Sequence, residues 1–125
     1  MVQNLKGRFF NPVEIVWFDP DVNTEENKIY AKVLKKELNV NVNTFIDFEK
    51  AVKFIQEEAR DRRILVICCG SSGEALCKRI DLDINVIFVY IFTSSVETHR
   101  YWAKKYYKIQ GVYTLFEELY RSIET

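Results

Sequence analysis

Ile64-Leu65-Val66-Ile67-Cys68-Cys69 and Val86-Ile87-Phe88-Val89-Tyr90-Ile91-Phe92 decide the fold. Both are unbroken apolar runs of strand length. A strand covered by helices on both faces needs no polar alternation, so the pair reads as the centre of a parallel sheet. Between them, Gly70-Ser71-Ser72-Gly73 turns the chain into a short helix with Ala75, Leu76 and Ile80 inward.

Working outward, Val13 to Phe18 is β-branched and aromatic and is closed by the turn Asp19-Pro20-Asp21, which predicts a first strand. Asn23, with Glu26 three residues on, has the spacing of a capping box, and Tyr30, Val33, Leu34 and Leu38 follow at helical period. Val40 to Ile46 alternates as an edge strand does. Asp47 caps a second helix with the stripe Phe48, Ala51, Val52, Ile55 and Ala59. After the second apolar run, Ser94 and Glu97 form another capping-box pair, ahead of a helix lined inwardly by His99, Trp102, Ala103 and Tyr106. Gly111 to Thr114 is a short last strand, and Leu115, Phe116, Leu119, Tyr120 and Ile123 face inward from the closing helix.

The β-α unit thus repeats five times with short connections. The expectation is a single doubly wound α/β domain over residues 13–125, a five-stranded parallel sheet of order 2-1-3-4-5 with helices on both faces, preceded by an extension over residues 1–12. In such sheets a small ligand sits at the carboxyl ends of the strands. Here those ends carry Asp19, Asp21, Cys69, Gly70, Ser71, Thr93 and Ser94.

Composition narrows the function. Of 125 residues, 48% are hydrophobic and 29% charged, the balance of an ordinary globular domain. With 18 basic against 18 acidic side chains there is no field to hold a polyanion, so neither a nucleic-acid backbone nor an acidic membrane is expected as a partner. Cys68, Cys69 and Cys77 are an odd set and no disulfide framework, which fits a reducing compartment. The single His99 lacks partners at metal-ligand spacing, so no metal is expected. No apolar stretch approaches the ~18–20 residues of a membrane span, and Met1 to Asn11 has no signal-peptide core; the expected location is the cytoplasm.

Three short segments carry a family resemblance. Trp17-Phe18-Asp19 with Asn27 and Leu34, Phe48-Glu49-Lys50-Ala51-Val52, and Ile91-Phe92-Thr93-Ser94 resemble the first turn, second helix and fourth-strand end of a response-regulator receiver domain, a flavodoxin-like fold. The resemblance implies an acidic pair for Mg²⁺, an aspartate acceptor ending the third strand, a hydroxyl ending the fourth and a lysine ending the fifth. Here the third strand ends Cys68-Cys69-Gly70 without a carboxylate, and the fifth ends Val112-Tyr113-Thr114 without a lysine. Pro20 separates Asp19 from Asp21, and Thr93 alone stands where the family has its counterpart. The chain therefore looks like a non-catalytic pseudo-receiver working by protein contact, with no cofactor.

Each candidate motif has a plainer alternative. Asp19 and Asp21 can hold a cation or simply build the turn. Cys69 to Gly73 can cradle an anion at a helix N-terminus or serve as a strand-to-helix turn; no Lys-Ser/Thr follows the glycines, and no arginine stands six residues after either cysteine. An NAD-cleaving domain of the Toll/interleukin-receptor kind shares the β-α order and implies a catalytic glutamate after the third strand, for which Glu74 is the candidate. The aromatic-Ser-Trp-Cys context of that family is missing, and a glutamate in the first helical turn also complements the macrodipole. The face formed by the fourth helix, fifth strand and fifth helix, which the resemblance makes the partner-exchanging surface, carries Tyr101, Lys104, Lys108 and Tyr113 for a protein partner or a homodimer.

Overall fold

The computed structural model describes residues 13–124. The expected extension over residues 1–12 lies outside them, as does Thr125. Strands β1 (Val13–Phe18), β2 (Asn41–Phe45), β3 (Arg63–Cys68), β4 (Val86–Phe92) and β5 (Ile109–Tyr113) form one parallel sheet in the order β2-β1-β3-β4-β5. They alternate with α1 (Glu25–Leu38), α2 (Phe48–Lys53), α3 (Gly70–Ile80), α4 (Val96–Ala103) and α5 (Phe116–Glu124). A π-helical turn, Phe54–Glu58, prolongs α2. This is the doubly wound α/β architecture that the apolar runs predict.

Strand alternation divides the core in two. Val16 and Phe18 of β1 with Val66 and Cys68 of β3 face Val52 and Ile55, Leu76 and Ile80, and Trp102, placing α2, α3 and α4 on one side. Ile15, Trp17, Leu65, Ile67 and Tyr90 face Leu34, Leu38, Leu119 and Ile123, placing α1 and α5 on the other. Burying each Leu or Ile stabilises by about 1.5–3 kcal/mol, which lets β1 carry one buried carboxylate, Glu14, provided it is paired. Arg62 Nη1 donates to it over 2.9 Å and Asn43 Nδ2 over 3.0 Å.

Register slips twice. Ile64 pairs with Val86 but Leu65 with Phe88, leaving Ile87 as an extra residue in β4; Gln110 is the corresponding extra residue in β5. Such insertions bend a strand locally. In β5 the ring of Tyr113 lies back over Gly111, where a Cβ would stand 2.7 Å from its Cζ.

At the amino ends of the strands the α2 and α3 segments cap one another. Asn85 Nδ2, just before β4, donates to the carbonyls of Ile55 at 2.9 Å and Ala59 at 3.1 Å, closing the π-helical turn. Gln56 Nε2 on that turn donates to the Arg79 carbonyl and to Asp83 Oδ2, each at 3.0 Å, closing α3. The Ile55, Ala59 and Arg79 carbonyls are ones that a helix end otherwise leaves without partners.

Several expected boundaries move. The α1 cap is Thr24, whose Oγ1 accepts from Asn27 N–H at 3.2 Å, and not Asn23. Asp47 does cap α2, accepting from Lys50 N–H at 3.0 Å. α3 begins at Gly70 itself, so Glu74 falls in its second turn and the macrodipole no longer accounts for it. Ala75 is exposed and Cys77 takes the inward position. α4 has Ser95 at its N-cap without a side-chain cap bond, so the Ser94–Glu97 pair does not form; Glu97 binds Arg100 instead, at 3.0 Å. β5 starts two residues earlier than expected and ends one residue earlier, and Leu115 is exposed ahead of α5.

Candidate functional site

β1 delivers the chain to α1 on one face and β3 delivers it to α3 on the other. The divergence opens a cleft of about 430 Å³ at the carboxyl ends of the strands. Asp19, Asp21, Cys69, Gly70, Ser71, Thr93 and Ser94 all line it, so the structure brings the expected strand-end residues together; Pro20, Phe92, Ser95 and His99 complete the wall.

Asp19 is held on three sides. Its N–H donates to the Phe45 carbonyl at 3.1 Å, its carbonyl accepts from Val22 N–H at 2.9 Å, and its Oδ1 accepts from Asp21 N–H at 2.8 Å. Burial raises its pKa above the usual 3.8, the bond from Asp21 N–H opposes the rise, and the Asp21 carboxylate adds to it. The Asp21 side chain is exposed, while its carbonyl accepts from Thr24 N–H at 3.2 Å and Asn27 Nδ2 at 3.0 Å. The two acidic residues thus frame the turn into α1.

Cys69 occupies the N-cap of α3 without a side-chain capping bond, its N–H donating to Phe18 O at 3.3 Å and its Sγ lying 3.6 Å from Ser71 Oγ. Gly70 follows, and the imidazole of His99 packs directly on it; a Cβ there would overlap the ring and stand 2.7 Å from Thr93 Oγ1. Thr93 closes the wall, its Oγ1 accepting from Ser95 N–H at 3.2 Å and its carbonyl accepting from Thr114 Oγ1 at 3.1 Å.

His99 is the site residue that the sequence reading left in the core. Trp102 Nε1 donates to His99 Nδ1 at 3.0 Å, which fixes the neutral ring with its proton on Nε2, the nitrogen lying against Gly70. The three-residue spacing on one helix was the available signal.

Glu74 does not line the cleft. It lies half-buried on α3 toward Tyr106, whose pKa is raised first by burial and then by the nearby Glu74 carboxylate. Among the described residues no group of three or more His, Cys, Asp or Glu is placed to hold a metal ion, and no helix is long and apolar enough to cross a membrane.

The four residues expected on the partner face separate. Tyr101 is 78% exposed and Lys104 is exposed beside it. Lys108 is a correction: the helix stops at Ala103, and Lys108 is 8% exposed at the amino end of the sheet, its Nζ donating to the Asp83 carbonyl at 2.7 Å. Tyr113 is half-buried on Gly111, its hydroxyl donating to Ser122 Oγ at 2.6 Å. What remains beside Tyr101 is a groove of about 210 Å³ between α4 and β5, with Arg100 and Lys104 on one side and Ile109 and Val112 on the other.

No protein-family model matches the sequence, and no curated protein does. A solved structure shares the fold, the crystal structure of a response regulator receiver protein from Dyadobacter fermentans. It is 15% identical with a TM-score of 0.66, and the match covers 90% of this chain and 99% of that one. With strand order β2-β1-β3-β4-β5 and helices on both faces, this chain has the receiver-like, flavodoxin-like fold.

Proposed function

We propose that the chain is a non-catalytic receiver-like module of the cytoplasm that acts through protein–protein contact. The observation that carries the reading is the end of β3, where Cys68 stays in the core and Cys69-Gly70 enters the cleft with no carboxylate to accept a phosphoryl group. Two further features support it. The lysine nearest in sequence to β5 is Lys108, tied to Asp83 at the amino end, so no ammonium faces the cleft from the carboxyl end of that strand. The imidazole of His99 also fills the space over Gly70. Phosphoryl transfer needs cationic stabilisation of developing charge, and these side chains supply neither acceptor nor cation.

The contact surface in this reading is the α4–β5 groove with Tyr101 at its edge and Lys104 on its rim, where an exposed aromatic beside a cation suits an interface centre. Incubation with Mg²⁺ and acetyl phosphate tests the central claim: the intact mass is expected to stay unchanged. Stoichiometric acyl phosphate on any aspartate overturns the reading.

A further inference from the structure

At the opposite end of the strands from the cleft, the last turns of α1 and the starts of β1 and β2 enclose a hollow of about 430 Å³. Three of the side chains that line it are lysines of α1: Lys32, Lys35 and Lys36. Spaced three and four residues apart, they share one face of the helix, where like charges repel. The macrodipole accounts for part of this only. The carboxyl end of a helix carries about half a negative charge, and Lys35 and Lys36 in the last turn already exceed it.

The surroundings supply no counter-charge. None of the three lysines forms a salt bridge among the described residues, and Lys28, one turn earlier, is taken by Glu25 at 3.8 Å. Glu14 lines the hollow, but its carboxylate is held by Arg62 at 2.9 Å and Asn43 at 3.0 Å. Glu37 lies toward α5, where it adds to the rise in the Tyr120 pKa behind burial and Glu124. Residues 1–12, which lead into Val13 on the wall, contain Lys6 and Arg8 and no acid. The hollow therefore calls for an anion of two or more charges. Ammonium groups act as point charges that suit phosphoryl oxygens, whereas a planar carboxylate suits the fork of an arginine, and no arginine is among the described residues lining the hollow. An extended polyanion finds no continuing track, since Arg60 and Arg63 before and at the start of β3 share their own hollow with Asp61.

We infer that this hollow binds a small soluble molecule bearing two or more phosphoryl charges, held by Lys32, Lys35 and Lys36 together with the side-chain amides of Asn39 and Asn41. The inference does not rest on the phosphotransfer reading, because the hollow and the cleft lie at opposite ends of the strands. Pyrophosphate is the probe, titrated into the full chain and followed by amide chemical shifts. Saturable shifts are expected at residues 13–14 and 32–41, with an affinity that falls as salt is raised. Combining Lys35→Gln with Lys36→Gln should weaken binding by on the order of 10-fold. The melting temperature without pyrophosphate should be unchanged or slightly higher, since both side chains are exposed and their repulsion is relieved. Pyrophosphate should raise the melting temperature of the parent more than that of the double variant. Citrate should bind more weakly than pyrophosphate. The proposal is overturned by an absence of saturable shifts, by shifts centred on the cleft, or by a double variant that binds as the parent does. Citrate or a single-stranded oligonucleotide binding more tightly than pyrophosphate overturns it as well.

Discussion

The indole of Trp102 donates its N–H to Nδ1 of His99 over 3.0 Å, and this bond determines which edge of the imidazole meets Gly70. Trp102 is 8% exposed and packs edge-on against Tyr106, so Trp102→Phe keeps most of the apolar contact and removes the donor. The expected loss of stability from the hydrogen bond is about 1 kcal/mol. Nitrogen chemical shifts of His99 should report one tautomer in the parent and a mixture in the variant; an unchanged single tautomer contradicts the assignment.

Gly70→Ala tests the contact from the other side. Alanine ordinarily favours a helix, yet a methyl group here overlaps the His99 ring and the Thr93 hydroxyl. Overpacking of this kind destabilises by about 1–3 kcal/mol in urea unfolding. Most of that loss should vanish when Gly70→Ala is made in a His99→Ala background, where only the Thr93 contact is left, and equal losses in both backgrounds exclude the His99 ring as its cause.

Asp19 carries a pH signature. Burial raises its folded-state pKa above 3.8, so between the unfolded and folded values the native state binds more protons than the unfolded chain. Its contribution to stability is therefore greatest in acid and falls as pH rises through that window. Asp19→Asn keeps an oxygen for Asp21 N–H and cannot ionise. It should melt higher than the parent at neutral pH, with the gap closing below pH 3.8. A gap that widens in acid reverses the sign and refutes the argument.

Two lysines in the same part of the sequence should behave differently. Lys108→Met removes the ammonium donor from the Asp83 carbonyl, which keeps the Val86 N–H at 3.1 Å, and should destabilise by about 1–2 kcal/mol. Lys104→Met alters an exposed side chain and should stay within about 0.5 kcal/mol of the parent. Chemical denaturation separates the cases, and equal effects discard the assigned placement of Lys108.

The sheet was legible because β3 and β4 are buried on both faces and so read as unbroken apolar runs, while the α2 stripe keeps a helical period through Ala59. The strand-end cluster was legible for the same reason, since strand order alone brings Asp19, Cys69 and Thr93 together. Local competition hid the rest. Asn23 and Thr24 are both competent caps, and tertiary geometry chose the second. No glycine or proline lies between Ala103 and Ile109, so nothing in the residues announced that α4 ends early. Turn bonds from Lys105 and Tyr106 to Trp102 and Ala103 carry Lys108 away from the helical phase assumed for it. His99 was hidden because a lone histidine on an inward face looks like core until the indole donor and the bare Cα of Gly70 are seen beside it.

The mutual caps of Gln56 and Asn85 have a bearing on how the molecule opens. Gln56 on the π-helical turn holds the Arg79 carbonyl of α3, and Asn85 at the entry to β4 holds the Ile55 and Ala59 carbonyls, so the π-helical turn cannot fray without releasing its bonds to both neighbours. Amide exchange across 54–59, 76–83 and the start of β4 should proceed as one cooperative unit with a common opening free energy. The eight-residue α4, whose N-cap makes no side-chain bond, stands outside that unit. Exchange there should be faster and should reach the backbone around His99 while the joined ends of α2 and α3 are still closed.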